Sequence, residues 1–261
     1  MDWSKIKTIF IVTFLTLDVY LLYQFMKIRD ANKYEVITET SLEDKLKADD
    51  IKYVDLPKMP ITDQYVSAKP KNFKKEELGK LKGQTVTINN GSTLDSIFIK
   101  PVQLPDKFDQ GAMATFLKEN ILYGDHYQYW EKSDKKITYY QQYEGKQFFK
   151  NIQGMLTFTL NENNQIVSYE QTYLEGLEKL NKKEEVLPPL NAIETLHQNG
   201  KLQQGDKITN IELGYSTFIP LSASQVLTPT WHIVVDNKES LFVNAFEGQI
   251  MFDDNENKAV E

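Results

Sequence analysis

Residues 8–26 read TIFIVTFLTLDVYLLYQFM, nineteen residues with no glycine, no proline and a single charged side chain. A run of that length and composition crosses the roughly 30 Å hydrocarbon core of a bilayer as one helix. Eleven of the nineteen are Ile, Phe, Val or Leu, which together favour insertion by about 3 to 6 kcal/mol. Asp18, one residue past the centre, opposes them with about 2.5 to 3.5 kcal/mol. The balance predicts a helix that inserts with little in reserve. Its apolar side chains cover every face, unlike the one-sided stripe of a soluble surface helix. Lys27-Ile28-Arg29-Asp30 follows directly, with no small-residue cleavage pattern, so the segment reads as a retained anchor rather than a signal peptide.

Lys5 and Lys7 precede the span and Lys27 and Arg29 follow it, so the basic residues nearly balance across it. Only a few residues lie before the helix and 235 lie after it. The short end is therefore expected in the cytoplasm and the long part outside the cell. That long part carries the whole net charge of −7, because Asp2, Lys5, Lys7 and Asp18 cancel. An acidic exported domain argues against nucleic acid as a partner and against electrostatic docking on anionic lipid. The chain has no cysteine, which is unusual for exported domains of animal or plant secretory pathways and ordinary on a Gram-positive surface. With 14 Phe, 14 Tyr and 3 Trp, it has ample apolar material for a core.

Beyond the anchor, turn chemistry and alternation predict an α+β domain of antiparallel sheets flanked by helices. Residues 1–7 form the cytoplasmic end, 8–26 the transmembrane helix and 27–40 a stalk. Residues 41–105 form an N-terminal α+β lobe and 106–261 C-terminal α+β lobes, with a further division expected near 186. A helix is expected over 41–48, a strand over 51–56 and a short helix over 74–81. Strands 85–88 and 96–99 flank Asn89-Asn90-Gly91-Ser92, a hairpin signal, and Pro101 and Pro105 are expected to close that unit. An amphipathic helix over 110–122 precedes aromatic strands at 127–131 and 137–143 and a second hairpin, 155–160 with 165–173. Charged residues 175–185 read as a solvated helix or linker. A helix over 190–198 leads to strands 208–217 and 231–235, a turn at Asp236-Asn237, and strands 240–246 and 249–252. Turn centres Asn90, Asn164 and Asn237 are 74 and 73 residues apart, which suggests helix-plus-sheet units repeated three times in a row.

Catalytic, cofactor and metal sites are all expected to be absent. His126, His197 and His232 are the only histidines, and no two have metal-ligand spacing. The pairs Asp49-Asp50, Glu76-Glu77, Glu184-Glu185 and Asp253-Asp254 read as solvated charge. No phosphate loop, G-x-S-x-G or S-x-x-K stands in the chain. Tyr127, Tyr129, Trp130, Tyr139, Tyr140 and Tyr143 suit a glycan platform, but aromatics at alternating strand positions more often serve as core and cross-strand pairs. Asp18 stands out because a carboxyl in mid-membrane needs a partner or a proton. Ile11, Phe14, Leu15, Leu21, Leu22 and Phe25 share its side of the helix, the stripe on which a second membrane helix would pack.

The opening Met1-Asp2-Trp3-Ser4-Lys5 runs into Thr8-Ile9-Phe10, with an Asp inside the span, and the chain closes on Leu241-Phe242-Val243-Asn244-Ala245-Phe246-Glu247-Gly248. In these motifs, and in its length, single anchor and lack of Cys, the chain resembles the YycI family. The resemblance implies a membrane-anchored accessory protein of Gram-positive bacteria that acts without catalysis. Its partners would be a YycH-like accessory protein, through the exported domains, and the WalK (YycG) sensor histidine kinase of cell-wall metabolism, through the membrane helix. The competing expectation is an extracytoplasmic module that binds a cell-wall fragment or peptide. A surface hydrolase fares worst, for want of a nucleophile, metal site or paired acids.

Overall fold

The computed structural model describes residues 3–31, 39–104, 110–217 and 224–252. The chain separates into two compact units, residues 1–50 and 51–261. The first holds α1 (Trp3–Ala31) and α2 (Glu39–Ala48). At 29 residues, α1 is about 43 Å long at 1.5 Å per residue. It continues five residues past each end of the apolar run, so residues 27–31 of the expected stalk are helical. Residues 32–38 of that stalk lie outside the described residues, as do Pro105 and the tail beyond Phe252.

The second unit begins with three short strands, β1 (Lys52–Tyr53), β2 (Thr62–Asp63) and β3 (Val66–Pro70), and a 3-10 helix over Lys75–Lys80. β4 (Gln84–Asn89) and β5 (Thr93–Gln103) form the first hairpin and α3 (Gln110–Asn120) follows. Next come β6 (Tyr127–Lys132), β7 (Lys136–Tyr143), β8 (Lys146–Gln147), β9 (Met155–Leu160) and β10 (Gln165–Gln171). β11 (Leu174–Lys179) and β12 (Glu184–Glu185) lead to α4 (Pro189–Gln198). β13 (Lys207–Ser216), β14 (Gln225–Val235), β15 (Glu239–Asn244) and β16 (Ile250–Met251) complete it.

These strands make two main sheets. One has the order β4-β5-β10-β9-β7-β6, with β8 attached to β7, and its pairs are all antiparallel. The other runs β1-β13-β14-β15-β16, with β3 on β14 and β11 on β3; β1–β13 is its parallel pair. The predicted hairpin turns hold. Asn90, Asn164, Asp236 and Asn237 all sit at φ between 50° and 57°, the left-handed region that Asn and Asp enter at lower cost than other non-glycine residues.

Three expectations are corrected. First, the hairpins are not three units in a row: β5 pairs with β10, so the first two share a sheet, and that sheet draws strands from both sides of residue 105. Second, residues 175–185 are not helical. β11 pairs with β3 and β12 with β2, and their Glu and Lys side chains are mostly exposed, as charges that protect a sheet edge are. Such a run reads the same in sequence whether it coats a helix or an edge strand. Third, Pro101 does not end β5. It falls between Ile97 and Val102, where the pairing with β10 shifts register, and an interrupted ladder is where a strand tolerates proline.

α3 lays Met113, Leu117 and its following Ile121 against Leu94, Phe98, Leu156, Phe158, Ile166 and Tyr169 of the first sheet. Each fully buried side chain of this kind contributes about 1.5 to 3 kcal/mol. In the other sheet Trp231 is wholly buried and its Nε1 donates to the carbonyl of Leu187, just before α4, at 2.8 Å. Strand alternation therefore turns the next residue, His232, to the opposite face.

Candidate functional site

Asp18 and its six neighbours Ile11, Phe14, Leu15, Leu21, Leu22 and Phe25 all lie on α1, and all are exposed. Thr13, Thr16 and Gln24 of the span are satisfied within the helix. Thr13 and Thr16 donate to the carbonyls of Ile9 and Val12 at 2.8 Å, and Gln24 donates to the Tyr20 hydroxyl at 2.9 Å. Among the described residues, the Asp18 carboxyl has no such partner. A carboxyl left over in an apolar helix seeks a donor on a second helix, water or a proton.

A second feature lies on the face of the β13-β14-β15 sheet opposite Trp231. The ladder sets Glu212 directly across from His232, and His232 across from Phe242. His232 Nδ1 is 2.9 Å from Glu212 Oε1 and its Nε2 is 2.9 Å from Ser240 Oγ. With the proton on Nδ1, the imidazole donates to Glu212 and its Nε2 accepts from the Ser240 hydroxyl, so both ring nitrogens are engaged. The ring stacks on Phe242 at 4.9 Å and 11°, with Trp130 and Phe149 each 5.0 Å away. A groove of ≈ 760 Å³ opens beside this cluster, lined by Ser240, Trp130 and Tyr140, among others. Burial, and then the charge of Glu131, push the Tyr140 phenol up, so it stays protonated as a neutral hydrogen-bonding group.

Glu, His and Ser in that order match the spacing of a hydrolase triad. A nucleophile also needs preorganised donors for the oxyanion. Ser240 sits inside regular strand β15 rather than at a tight turn or helix N-terminus, where such donors converge. The arrangement therefore fixes the Ser240 hydroxyl and the imidazole in place beneath the groove. In the sequence His232 shares metal-ligand spacing with no other histidine, and Glu212 and Ser240 belong to no motif. The hairpin turn at Asp236-Asn237 was the available signal, since it brings Ser240 back beside the strand that carries His232.

The remaining predicted residues are dispersed. Tyr127 and Tyr139 belong to the core under α3, with Tyr129 packed on it; Tyr143 joins a separate cluster around Phe148 and Tyr215. Of the six aromatics, Trp130 and Tyr140 reach the groove. His126 lies 2.6 Å from the Tyr173 hydroxyl, and His197 is in the last turn of α4. Glu77 is more than solvated charge. It accepts from Tyr123 at 2.8 Å and pairs with Lys71 at 3.2 Å. Burial acts to raise its pKa, but bonds from the Lys74 N–H, Tyr123 and Lys71 outweigh that and hold the carboxyl below its usual range. Among the described residues, no group of three or more His, Asp or Glu is arranged to hold a metal ion.

Residues 31–246 match the model of the YycI protein family, most of the chain and nearly all of the second unit. The chain belongs to the YycI family. Membership supports a role beside the YycG (WalK) two-component sensor, in a family of regulatory accessory proteins. The N-terminal helix agrees with single-pass anchoring, since Ile6–Met26 has a mean hydropathy of 1.8 and none of it is buried. No curated protein matches the chain. Among solved structures, an uncharacterized protein from Eubacterium rectale aligns at 10% identity and TM-score 0.46, covering 77% of this YycI chain and 90% of its own. The C-terminal domain of Bacillus megaterium YpeB aligns at 11% identity and TM-score 0.35, covering 71% and 87%.

Proposed function

We propose that this protein is a non-catalytic, single-pass regulator of the WalK (YycG) sensor histidine kinase. Its N-terminus is cytoplasmic and its large domain extracellular. α1 packs on a membrane helix of the kinase along the Asp18 stripe, and the exported domain pairs with a YycH-like accessory protein. The observation that carries this reading is the Asp18 carboxyl. It has no partner within its own helix, while Thr13, Thr16 and Gln24 do, and a bare anchor would insert more securely without it. The test replaces residues 8–26 with an unrelated membrane helix. Loss of kinase co-purification and of the change in kinase output supports the reading; retention of both refutes it.

A second reading, an extracytoplasmic module that binds a cell-wall fragment or peptide, is favoured by the groove beside Ser240. Under that reading the helix exchange leaves function intact, and substitutions in the groove abolish it.

A further inference from the structure

We infer that the groove beside His232 is a binding site for an acidic saccharide, a sugar ring carrying one carboxylate. The inference rests on the second reading above and does not depend on the membrane helix. Its volume of ≈ 760 Å³ lies within the roughly 300–1,000 Å³ of small-molecule sites. Trp130 supplies a ring platform that is fixed before any ligand arrives, packed edge-on against Tyr140 at 5.5 Å and near Phe242 at 6.3 Å. An aromatic face held in this way takes the apolar C–H face of a sugar with little further ordering cost. Ile152, more than half exposed and lining the same groove, offers an apolar contact to a ring substituent such as an acetyl methyl.

The charges define the rest of the ligand. Lys150, Lys201 and Lys238 line the groove in a chain whose net charge is −7. Lys150 lies over the rings of Phe242 and Phe252, at 5.1 and 5.6 Å, which keeps its ammonium at the groove. Glu131 and Glu239 stand on the same lining. Three ammoniums beside two carboxylates leave an excess of one positive charge, which a single carboxylate neutralises, and the two carboxylates accept hydrogen bonds from hydroxyl groups. They select a ligand rich in hydroxyls with a single negative charge. Ser240, fixed by His232 and Glu212, adds a positioned hydroxyl to read the ring's orientation.

The experiment is calorimetric titration of the full chain in lipid nanodiscs with two probes. N-acetylmuramic acid carries a lactyl carboxylate, and N-acetylglucosamine is the same ring without it. The expected result is saturable binding of the acid, about tenfold tighter than the neutral sugar, as one charged hydrogen bond requires. Lys150→Gln with Lys238→Gln, both surface changes, is expected to erase that preference. Trp130→Ala is expected to weaken both sugars by tenfold or more, with circular dichroism reporting its fold. Equal binding of the two sugars by the parent, or an acid preference that survives the double lysine change, overturns the acidic assignment while the binding-module reading stands. Saturable binding of neither sugar overturns the inference as well. Regulation lost on helix exchange then still supports the proposal for α1, which these titrations leave untouched.

Discussion

The Tyr215 hydroxyl donates to Asp63 at 2.8 Å, joining β13 to β2 across 152 residues of chain. Lys146 reaches the other oxygen of the same carboxylate at 2.6 Å, and the Asp63 backbone lies in the β2–β12 pair. One buried carboxylate thus ties together three separate stretches of the second unit.

Removing it is costly. Asp63→Ala leaves a buried phenol and a partly buried ammonium without their acceptor. The expected loss is about 2 to 3 kcal/mol, below that of a fully buried pair because Lys146 can turn to solvent. Asp63→Asn keeps an acceptor for Tyr215 and should lose about half as much. Urea denaturation of the parent and the two variants measures the differences, and midpoints equal to the parent's would show that the carboxylate has no structural role.

If α1 packs on the kinase as proposed, Asp18→Leu should leave the protein in the membrane, at an equal or higher level, while weakening that association. Polar contacts between membrane helices average about 0.6 kcal/mol, so the loss in affinity is a few-fold. The change in register, and hence in kinase output, is the larger effect. Asp18→Asn keeps the hydrogen bonding and should retain more function. If both variants co-purify and regulate like the parent, the carboxyl is a bystander.

At Gly214, next to the Tyr215 carbonyl that accepts from the Phe149 N–H at 2.7 Å, β13 packs tightly on the segment bearing Phe149. A Cβ there would overlap the Phe149 ring and stand 2.6 Å from the Gln147 carbonyl oxygen. Because one of the two obstacles is backbone, Gly214→Ala should cost about 1 to 3 kcal/mol. It should also shift Phe149, whose ring centroid lies 5.6 Å from that of Phe242, and so disturb the floor under His232. A drop in melting temperature with reduced near-ultraviolet circular dichroism is the expected signature.

Buried phenols make the domain sensitive to alkali. Burial pushes the Tyr169 phenol up to about 12. Burial, then Tyr123 and Asp125, bring Tyr173 to about 12. A raised value favours the neutral form in the folded state. This contribution is complete below the ordinary tyrosine value of 10.0 and is lost as pH rises from there through 12. Absorbance at 295 nm should show these phenolates forming together with loss of tertiary structure. Full ionisation near pH 10 in a folded protein would contradict the packing around them.

Much of the fold was legible because its signals are local. Asn90-Gly91 and Asp236-Asn237 mark turns through backbone chemistry, and Met113, Leu117 and Ile121 mark the buried stripe of α3 through spacing. What stayed hidden depends on pairing between distant segments. Two residues suffice for β1 because β13 supplies the rest of its ladder, and nothing in Lys52-Tyr53 announces that partner. Likewise Glu212, His232 and Ser240 come from three strands, and no motif spans them. Their meeting follows only from the register of β13 on β14 and of β14 on β15. Asp18 was legible by contrast, since a lone carboxyl in a nineteen-residue apolar run needs no tertiary context to be noticed.

The sheet that holds β1 and β3 also sets an order of events during synthesis. β3 can pair with β11 once residues 174–179 are made, β1 waits for Lys207 and Ile208, and the second edge of β3 waits for residues 225–227. A chain emerging from its N-terminus can close the β4–β5 and β9–β10 hairpins early, yet β1 stays unpaired until Lys207 and Ile208 of the 261 residues have been delivered. Contacts so distant in sequence form slowly, and an open strand edge is a hazard while it waits. α1 has by then been released long before, so the anchor is in place while the domain behind it is still assembling.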